Sequence, residues 1–225
     1  MTIELHLTYR CNLACWNCNR GCRVRTDHTP DMTIADCVRA LEAAPGVQQA
    51  VLIGGEPTLH PDLTGIVAEL RLRFPSVALR IYSNAHTAEA RELLRTLEKL
   101  GIYNNGRTMK LEGSVRHGNP HLFVAPRDIG IERDPCKWAS GHHGGTCGFS
   151  ADAGGLTGCA IGGMIDGILG LGMRSWKWAE FSDRKRLLTL CQHCGAFPEF
   201  RVPGGLGEFR GQVMSKSWLE AAVRS

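Results

Sequence analysis

The chain begins with apolar and polar residues in alternation and then changes to the spacing of helices. The alternation over residues 3–9 predicts a strand that ends just before Cys11. Two later apolar runs, 50–53 and 77–82, predict further strands, and the first of them leads directly into a pair of glycines. A helical pattern follows each strand, so strands and helices alternate along this part of the chain.

The residues at the ends of the helical segments are typical of helix caps. Thr33, with Asp36 three residues later, predicts a capped start for the first helix. Pro61 opens the second helix and Thr87 caps the third, which Gly101 ends in a left-handed turn. Three strand-then-helix units predict parallel strands joined by right-handed crossovers, with the loops after the strands at one edge of the sheet. We expect the chemistry at that edge.

The pattern weakens after the third helix. Residues 109–113 and 122–125 predict two short strands without full helices between them, so the predicted barrel is abbreviated. The glycine-rich segment 141–172 predicts a loop and a hairpin rather than a regular helix. A last helix is predicted over 182–190.

The length of 225 residues allows one α/β domain with a small appendage. We therefore predict a partial, incomplete parallel β/α barrel over residues 1–130, followed by a small cysteine-rich C-terminal appendage over residues 131–225. No apolar run reaches the roughly 20 residues that a membrane span needs, and no secretory signal is readable, so the expected compartment is the cytoplasm. The net charge of +4 comes without a dense Lys/Arg run, which argues against nucleic acid as a partner.

Cysteine is the residue type that points to chemistry. The chain has 10 cysteines, and in a reducing cytosol, where disulfides are rare, such a number predicts metal binding. Cys11, Cys15 and Cys18 form a C-x-x-x-C-x-x-C loop directly after the first strand. Three thiolates can bind three irons of a cubane and leave the fourth iron open for a ligand. A zinc site is the alternative, with Cys22 as a fourth ligand.

This loop resembles the signature of the radical S-adenosylmethionine (SAM) superfamily. In that family the methionine part of SAM binds the open iron of a 4Fe–4S cluster, and an electron from the cluster cleaves the sulfonium to a 5′-deoxyadenosyl radical. The family places an aromatic residue between the last two cysteines, and Trp16 has that place. The resemblance implies that the backbone of Trp16 contacts the adenine.

The residues Gly54, Gly55, Glu56 and Pro57 follow the second strand and resemble the GGEP motif of the same family. The resemblance implies that this turn holds the methionine amino group. Glycines let a backbone approach a ligand closely, and a carboxylate can hold an ammonium group by a charge-assisted hydrogen bond. A Gly-Gly pair at a strand end is by itself more often only a turn.

Three further residues are expected at the cofactor by resemblance alone. Asn84 ends the third strand together with Ser83, where the family often has a polar residue. Ser114 and Arg127 follow the predicted fourth and fifth strands, where related enzymes have a ribose contact and a clamp on the methionine carboxylate. Arg116 is a rival for the clamp, and ordinary solvated loop residues are the other interpretation.

A second group of cysteines lies in the predicted appendage. Cys147, Cys159, Cys191 and Cys194 are enough ligands for another metal centre. Their order resembles the twitch subdomain (SPASM-like) of some radical SAM enzymes, which holds an auxiliary 4Fe–4S cluster. A zinc ion fits the same four thiolates, and Cys136 can replace Cys147 in either set.

The resemblance implies a radical SAM enzyme, oxidoreductase-like, that removes hydrogen from its substrate. An auxiliary cluster ligated fully by protein would accept the electron left on the substrate, which gives a net oxidation. The expected substrate is a small sugar-like alcohol or a peptide, and the expected electron donor is an external protein such as a flavodoxin or ferredoxin. The alternative is a non-enzymatic zinc or iron–sulfur binding protein with structural cysteines.

Overall fold

The fold is an α/β sheet structure, seen in a computed structural model that describes residues 1–13, 20–22, 29–104, 149–181, 183–194 and 220. Its strands are β1 (Thr2–Thr8), β2 (Gln49–Gly54), β3 (Ala78–Ile81), β4 (Tyr103–Asn104), β5 (Phe149–Asp152) and β6 (Gly155–Thr157). Its helices are α1 (Ile34–Ala43), α2 (Leu63–Arg73), α3 (Ala88–Lys99), α4 (Gly162–Leu169), α5 (Trp178–Phe181) and α6 (Arg184–Gln192), with a 3-10 helix at Pro57–Leu59. The strands predicted over 109–113 and 122–125 lie outside the described residues.

The six strands form one sheet in the order β4, β3, β2, β1, β5, β6. All neighbouring pairs are parallel except the β5–β6 hairpin, which is antiparallel. Among the described residues the sheet is open, with β4 and β6 at its edges. It is therefore a partial parallel β/α barrel, as the sequence predicts. β5 and β6 come from the segment 131–225, and β5 extends the sheet beside β1.

Helices α1, α2 and α3 cover one face of the sheet, which we call the α1–α3 face. The inward residues of β1 alternate as the sequence predicts, and Ile3, Leu5 and Leu7 are fully buried there. Apolar residues of the three helices pack on them, including Ile66 and Cys37. Burial of apolar area on this face is the main source of stability of the fold.

The caps predicted for α1 and α3 are confirmed, but Pro61 does not open α2, which begins at Leu63 with Asp62 at its N-cap position. Thr33 and Asp36 form a reciprocal capping box at the start of α1, and Thr87 accepts a hydrogen bond from the Ala90 amide at the start of α3. Gly101 follows α3 with a φ of +77°, the left-handed conformation expected of a helix stop. These ends were readable because each cap depends on residues within one turn of each other.

The prediction for the glycine-rich segment is partly wrong. The hairpin is present as β5 and β6, but α4 follows it where no regular helix was expected. Gly162 and Gly163 explain the helix, because a Cβ atom there would lie 2.8 Å from Thr157 Oγ1 and 3.0 Å from Asp152 Oδ2. The glycines of α4 let its backbone pack directly on the hairpin, which compensates for their poor intrinsic helix propensity.

A second core lies beyond the hairpin and joins α4 to α6. Its buried apolar side chains come from α4, α6 and their ends, and we call this group the second core: Cys159, Ile161, Met164, Ile165, Ile168, Leu187, Leu190, Cys191 and Cys194. Helix α6 extends to Gln192 rather than ending at 190, so Cys191 lies in its last turn. None of the helices in the described ranges is long and apolar enough to cross a membrane.

Candidate functional site

The turn after β2 is bonded directly to the chain that leaves β1. The Gly55 amide donates to the Thr8 carbonyl at 2.7 Å, and the next amide donates to the Arg10 carbonyl at 2.8 Å. A Cβ atom at Gly54 would lie 2.2 Å from Thr8 O, and one at Gly55 would lie 2.2 Å from Arg10 O. Both positions therefore require glycine, and the close approach fixes the backbone that leads into Cys11.

Glu56 lies at the end of β2 and is fully buried. Its Oε1 accepts hydrogen bonds from the Thr58 amide at 3.0 Å, the Thr58 hydroxyl at 2.7 Å and the Ser83 hydroxyl at 2.7 Å. Its Oε2 accepts one from the Asn84 amide at 2.7 Å. The carboxylate thus joins the ends of β2 and β3, while Pro57 is buried at the start of the 3-10 helix. Buried carboxylates require such donors.

Asn84 brings the end of β3 to the first cysteine. Its side-chain amide donates to Asn12 Oδ1 at 2.8 Å and lies 4.0 Å from Cys11 Sγ. The Leu13 amide lies 3.5 Å from the same sulfur. Amide donors around a cysteine sulfur stabilise a thiolate and fit an iron ligand, because hydrogen bonds to cluster sulfurs are part of how proteins tune such centres.

One edge of the sheet therefore collects the described part of the predicted cofactor site. Cys11, the 54–57 turn and Asn84 meet where β1, β2 and β3 end, as expected for parallel strands. The other predicted residues of this site lie outside the described residues: Cys15, Trp16, Cys18, Ser114 and Arg127. Their roles stay predictions.

The opposite face of β1 carries a buried polar group that the sequence analysis missed. His6 Nδ1 lies 3.2 Å from Tyr9 Oη, and His6 Nε2 lies 3.2 Å from Arg20 Nη1. The same Arg20 nitrogen lies 2.8 Å from Glu4 Oε2 and donates to the Ala160 carbonyl at 3.1 Å. The sequence marked residues 4 and 6 as polar positions of a strand, but alternation alone does not distinguish a buried polar face from a solvated one.

The environment shifts the two titratable groups of β1 in different ways. Burial lowers the pKa of His6, because the protein interior disfavours the imidazolium ion. Burial also opposes ionisation of Glu4, but the positive charge of Arg20 leads the contributions that outweigh that effect and lower the pKa of the Glu4 carboxyl. Glu4 and Arg20 therefore form a buried ion pair beside a neutral His6.

The cluster of polar side chains extends to Asp152 in β5 and to Arg174, which follows α4. Tyr9 Oη donates to Asp152 Oδ2 at 3.0 Å, and Arg174 Nη1 lies 3.1 Å from the same oxygen. Arg174 Nε donates to Asp166 Oδ2 at 2.8 Å. We call the side of β1 and β5 that carries these groups the polar face. Its hydrogen bonds join segments that are far apart in the chain.

The second cysteine group is represented by three described residues. Cys159, Cys191 and Cys194 are all buried in the second core. The Cys159 carbonyl accepts from the Ser150 hydroxyl at 2.7 Å and the Thr157 hydroxyl at 3.0 Å, so the hairpin fixes its backbone. Within the described ranges no three His, Cys, Asp or Glu side chains are grouped so that they could hold a metal ion. Cys147, the fourth predicted ligand, lies outside those ranges.

Comparisons with known proteins bear on the family and the fold of the chain. The sequence model of the Radical SAM superfamily matches residues 5–122 of the 225 residues. Among solved structures, the crystal structure of BtrN in complex with AdoMet and 2-DOIA is similar, with a TM-score of 0.52, 18% sequence identity and coverage of 86% of each chain. At that identity the likeness shows the fold alone. No curated protein matches the sequence. Since the family match spans more than half of its length, the chain belongs to the radical SAM superfamily.

Proposed function

We propose that this protein is a radical SAM oxidoreductase that acts on a small hydroxylated molecule. Membership in the family supports the general reaction, in which a bound 4Fe–4S cluster and SAM supply a 5′-deoxyadenosyl radical that removes a hydrogen atom from the substrate. The fold-similar BtrN structure holds AdoMet together with 2-DOIA, which supports a SAM site and a second small ligand in this fold.

The described residues that would hold the first cluster and SAM lie at the edge of the sheet where β1, β2 and β3 end. Cys11, Cys15 and Cys18 would bind three irons. The Glu56 carboxylate would accept a hydrogen bond from the methionine ammonium, since Oε2 accepts only one bond from the described residues. The amide of Asn84 would stabilise the Cys11 thiolate.

Three residues outside the described ranges complete this proposed SAM site. Trp16 would contact the adenine through its backbone, Ser114 would bind the ribose, and Arg127 would bind the methionine carboxylate. A guanidinium suits a carboxylate because the two can form paired hydrogen bonds. These assignments rest on the family motif and on position after each strand.

A second, auxiliary 4Fe–4S cluster in a twitch-like subdomain would make the reaction a net oxidation. Its ligands would be Cys147, Cys159, Cys191 and Cys194. The observation that carries this proposal is that the three described cysteines, from the hairpin end and the end of α6, share one buried apolar core. An alcohol that becomes a carbonyl loses one hydrogen atom to the radical, and then one proton and one electron. The second cluster would accept that electron.

The substrate and partners follow from this chemistry. A sugar-like alcohol suits the proposed oxidation, because the carbon that bears its hydroxyl group can lose the hydrogen atom and the hydroxyl can lose the proton. The first cluster needs one electron per SAM cleaved, which a flavodoxin or ferredoxin would supply. The ten cysteines of the chain favour a reducing compartment, the cytoplasm.

The test uses two triple variants of the full chain, reconstituted with iron and sulfide without oxygen. The parent should bind about eight irons and about eight sulfides, and each variant about half of that. Cys11→Ala with Cys15→Ala and Cys18→Ala should abolish 5′-deoxyadenosine release under dithionite. Cys159→Ala with Cys191→Ala and Cys194→Ala should keep release. Stoichiometric zinc with one cluster would contradict the auxiliary cluster and leave the radical chemistry in place.

The substrate class is tested with matched panels of sugar alcohols, aminocyclitols and short peptides. Oxidation of a polyol with one 5′-deoxyadenosine per product supports the proposal. The variant without the second cysteine group should then cleave SAM without releasing the carbonyl product, because the substrate radical has no acceptor for its electron. Turnover of peptides alone would contradict a small-molecule substrate.

A further inference from the structure

His6 connects the two ends of the cysteine loop. Tyr9 stands two residues before Cys11, and Arg20 stands two residues after Cys18. Both side chains reach the same imidazole, Tyr9 Oη at 3.2 Å from Nδ1 and Arg20 Nη1 at 3.2 Å from Nε2. The loop that carries the first cluster is therefore closed at its base by one buried side chain of β1.

The hydrogen-bond partners define the proton position on His6. A guanidinium only donates, so Nε2 accepts from Arg20 and the proton of the neutral ring is on Nδ1. Nδ1–H then donates to Tyr9 Oη, which in turn donates to Asp152 Oδ2 at 3.0 Å. Glu4 Oε2 lies 3.5 Å from His6 Nε2 but 2.8 Å from Arg20 Nη1, so its shorter contact is with the guanidinium.

The same contacts seat the base of the loop on the hairpin and on α4. Arg20 donates to the carbonyl of Ala160, the residue after Cys159. Gly21 has a φ of +64°, and a Cβ atom there would lie 2.9 Å from both Met164 Cγ and Ile168 Cδ1. The chain after the loop thus lies directly on α4, without space for a side chain.

We propose that His6, as the neutral Nδ1–H tautomer, is a positioning residue that holds the two ends of the cysteine loop together for the first cluster. The physical reason is that closing a loop costs conformational entropy, and a preformed base removes part of that cost before the cluster binds. This role rests on the first-cluster site of the proposed function. It requires no contact between His6 and the cluster.

The test separates the two hydrogen bonds of the ring. His6→Leu removes both bonds, His6→Asn keeps a donor toward Tyr9, and His6→Gln keeps an acceptor toward Arg20. Ile66→Ala is the control, because it destabilises the α1–α3 face without touching the loop. All variants are compared in the folded state, at denaturant concentrations well below their unfolding midpoints.

The first measurement needs no cluster. Nitrogen NMR of the His6 ring in the apo-protein should show a protonated Nδ1 and a bare Nε2; a ring protonated on Nε2 would overturn the proposal. The second measurement is iron retention and SAM cleavage. In His6→Leu, iron affinity and the rate of SAM cleavage should fall by about 10- to 100-fold, which is the loss typical when a residue that supports metal ligands is replaced. The values for His6→Asn and His6→Gln should lie between those of His6→Leu and the parent.

The outcomes of the second measurement are separable. Parent-like iron retention and cleavage in His6→Leu would overturn the positioning role, as would an equal loss in Ile66→Ala. A parent protein that retains no cluster would contradict the proposed function instead, and the tautomer measurement would then still test whether the His6 ring makes the two hydrogen bonds that close the loop.

Discussion

The two faces of β1 show how one strand serves two purposes. On the α1–α3 face, Ile3, Leu5 and Leu7 pack in a continuous apolar core. On the polar face, Glu4 and His6 are also buried or nearly so, but each contacts particular partners at hydrogen-bond distance. Apolar packing is non-directional and tolerates exchange of similar volumes, whereas a buried polar group needs its own donor or acceptor.

The hydrogen bonds of the polar face reach segments that are distant in the sequence. Tyr9 bonds to Asp152 and Arg20 bonds to Ala160, so β1 and the cysteine loop are tied to the hairpin. We conclude that the α1–α3 face mainly provides stability and that the polar face mainly sets the relative positions of the two cysteine groups.

The largest expected effect is on the stability of the α1–α3 face. Leu5→Ala leaves a cavity in a fully buried position and should lower the free energy of unfolding by about 3–5 kcal/mol. Urea unfolding of the apo-protein measures it. SAM affinity per folded molecule should equal that of the parent at low temperature. A loss of affinity in the folded fraction would show that the two faces are not separable.

The next effect in size is expected from a substitution of Glu56 in the proposed SAM site. Glu56→Gln keeps shape but places an amide donor opposite one of the donors that now bind the carboxylate, and it removes a charged acceptor. Unfolding free energy should fall by about 1.5–3 kcal/mol. If Glu56 also holds the methionine ammonium, SAM affinity should fall about ten-fold to a hundred-fold, at about 1.4 kcal/mol per factor of ten.

A titration of SAM into the reduced protein, followed by the electron paramagnetic resonance of the cluster, measures that affinity. Iron content should match the parent, since Glu56 is not a proposed iron ligand. Glu92→Gln is the matched control, because it makes the same chemical change on the exposed side of α3. Equal SAM affinities with reduced stability would mean that the carboxylate joins β2 and β3 but does not bind the ammonium.

The sequence predicted the parts of the fold that depend on local order. The alternation in β1, the capping box at Thr33 and the stop at Gly101 are set by neighbours within a few residues. The expectation that Gly54 and Gly55 approach a ligand missed their contacts with Thr8 and Arg10. Such contacts arise only when the sheet is assembled, and no periodicity in the sequence encodes them.

The polar face was unpredictable for the same reason. Alternation identified residues 4 and 6 as polar positions of a strand, and half-exposed strands look identical at that level. Only the return of the chain as β5, beside β1, buries them and supplies Asp152. Helix α4 is the other example, because the tight hairpin contact of Gly162 and Gly163 replaces the helix propensity that the glycines lack.

The pH dependence of stability distinguishes the polar face of β1 from the α1–α3 face, because only the polar face carries titratable groups with shifted pKa values among the residues of β1. Both His6 and Glu4 have a lowered pKa in the folded protein. Each group therefore contributes stability at a pH above its ordinary, unfolded-state pKa, and this contribution is lost as the pH falls towards and through its pKa in the folded protein. The parent should therefore lose stability first below the ordinary histidine value of 6.5 and again below the carboxyl value of 4.5.

Glu4→Gln should reduce the second of these losses and keep the first, because Arg20 then has no carboxylate to lose on acidification. Urea midpoints measured across this pH range, in parallel with those of Leu5→Ala, give the comparison. Leu5→Ala should shift the whole curve downward without changing its shape. A parent curve that is flat through both steps would contradict the buried ion pair on the polar face.

The smallest effect is expected at Cys37, the cysteine of the α1–α3 face. Burial, with a contribution from the charge of Asp36, raises the pKa of its thiol to about 12. The thiolate is the reactive form, so Cys37 should resist iodoacetamide in native apo-protein at mildly alkaline pH, while the partly exposed Cys11 reacts. Mass spectrometry of the digested protein measures both. Cys37→Ala should change unfolding free energy by only about 1 kcal/mol and leave iron content and SAM cleavage as in the parent. Rapid alkylation of Cys37, or loss of iron on its replacement, would place a metal-linked cysteine on the face that we assign to stability alone.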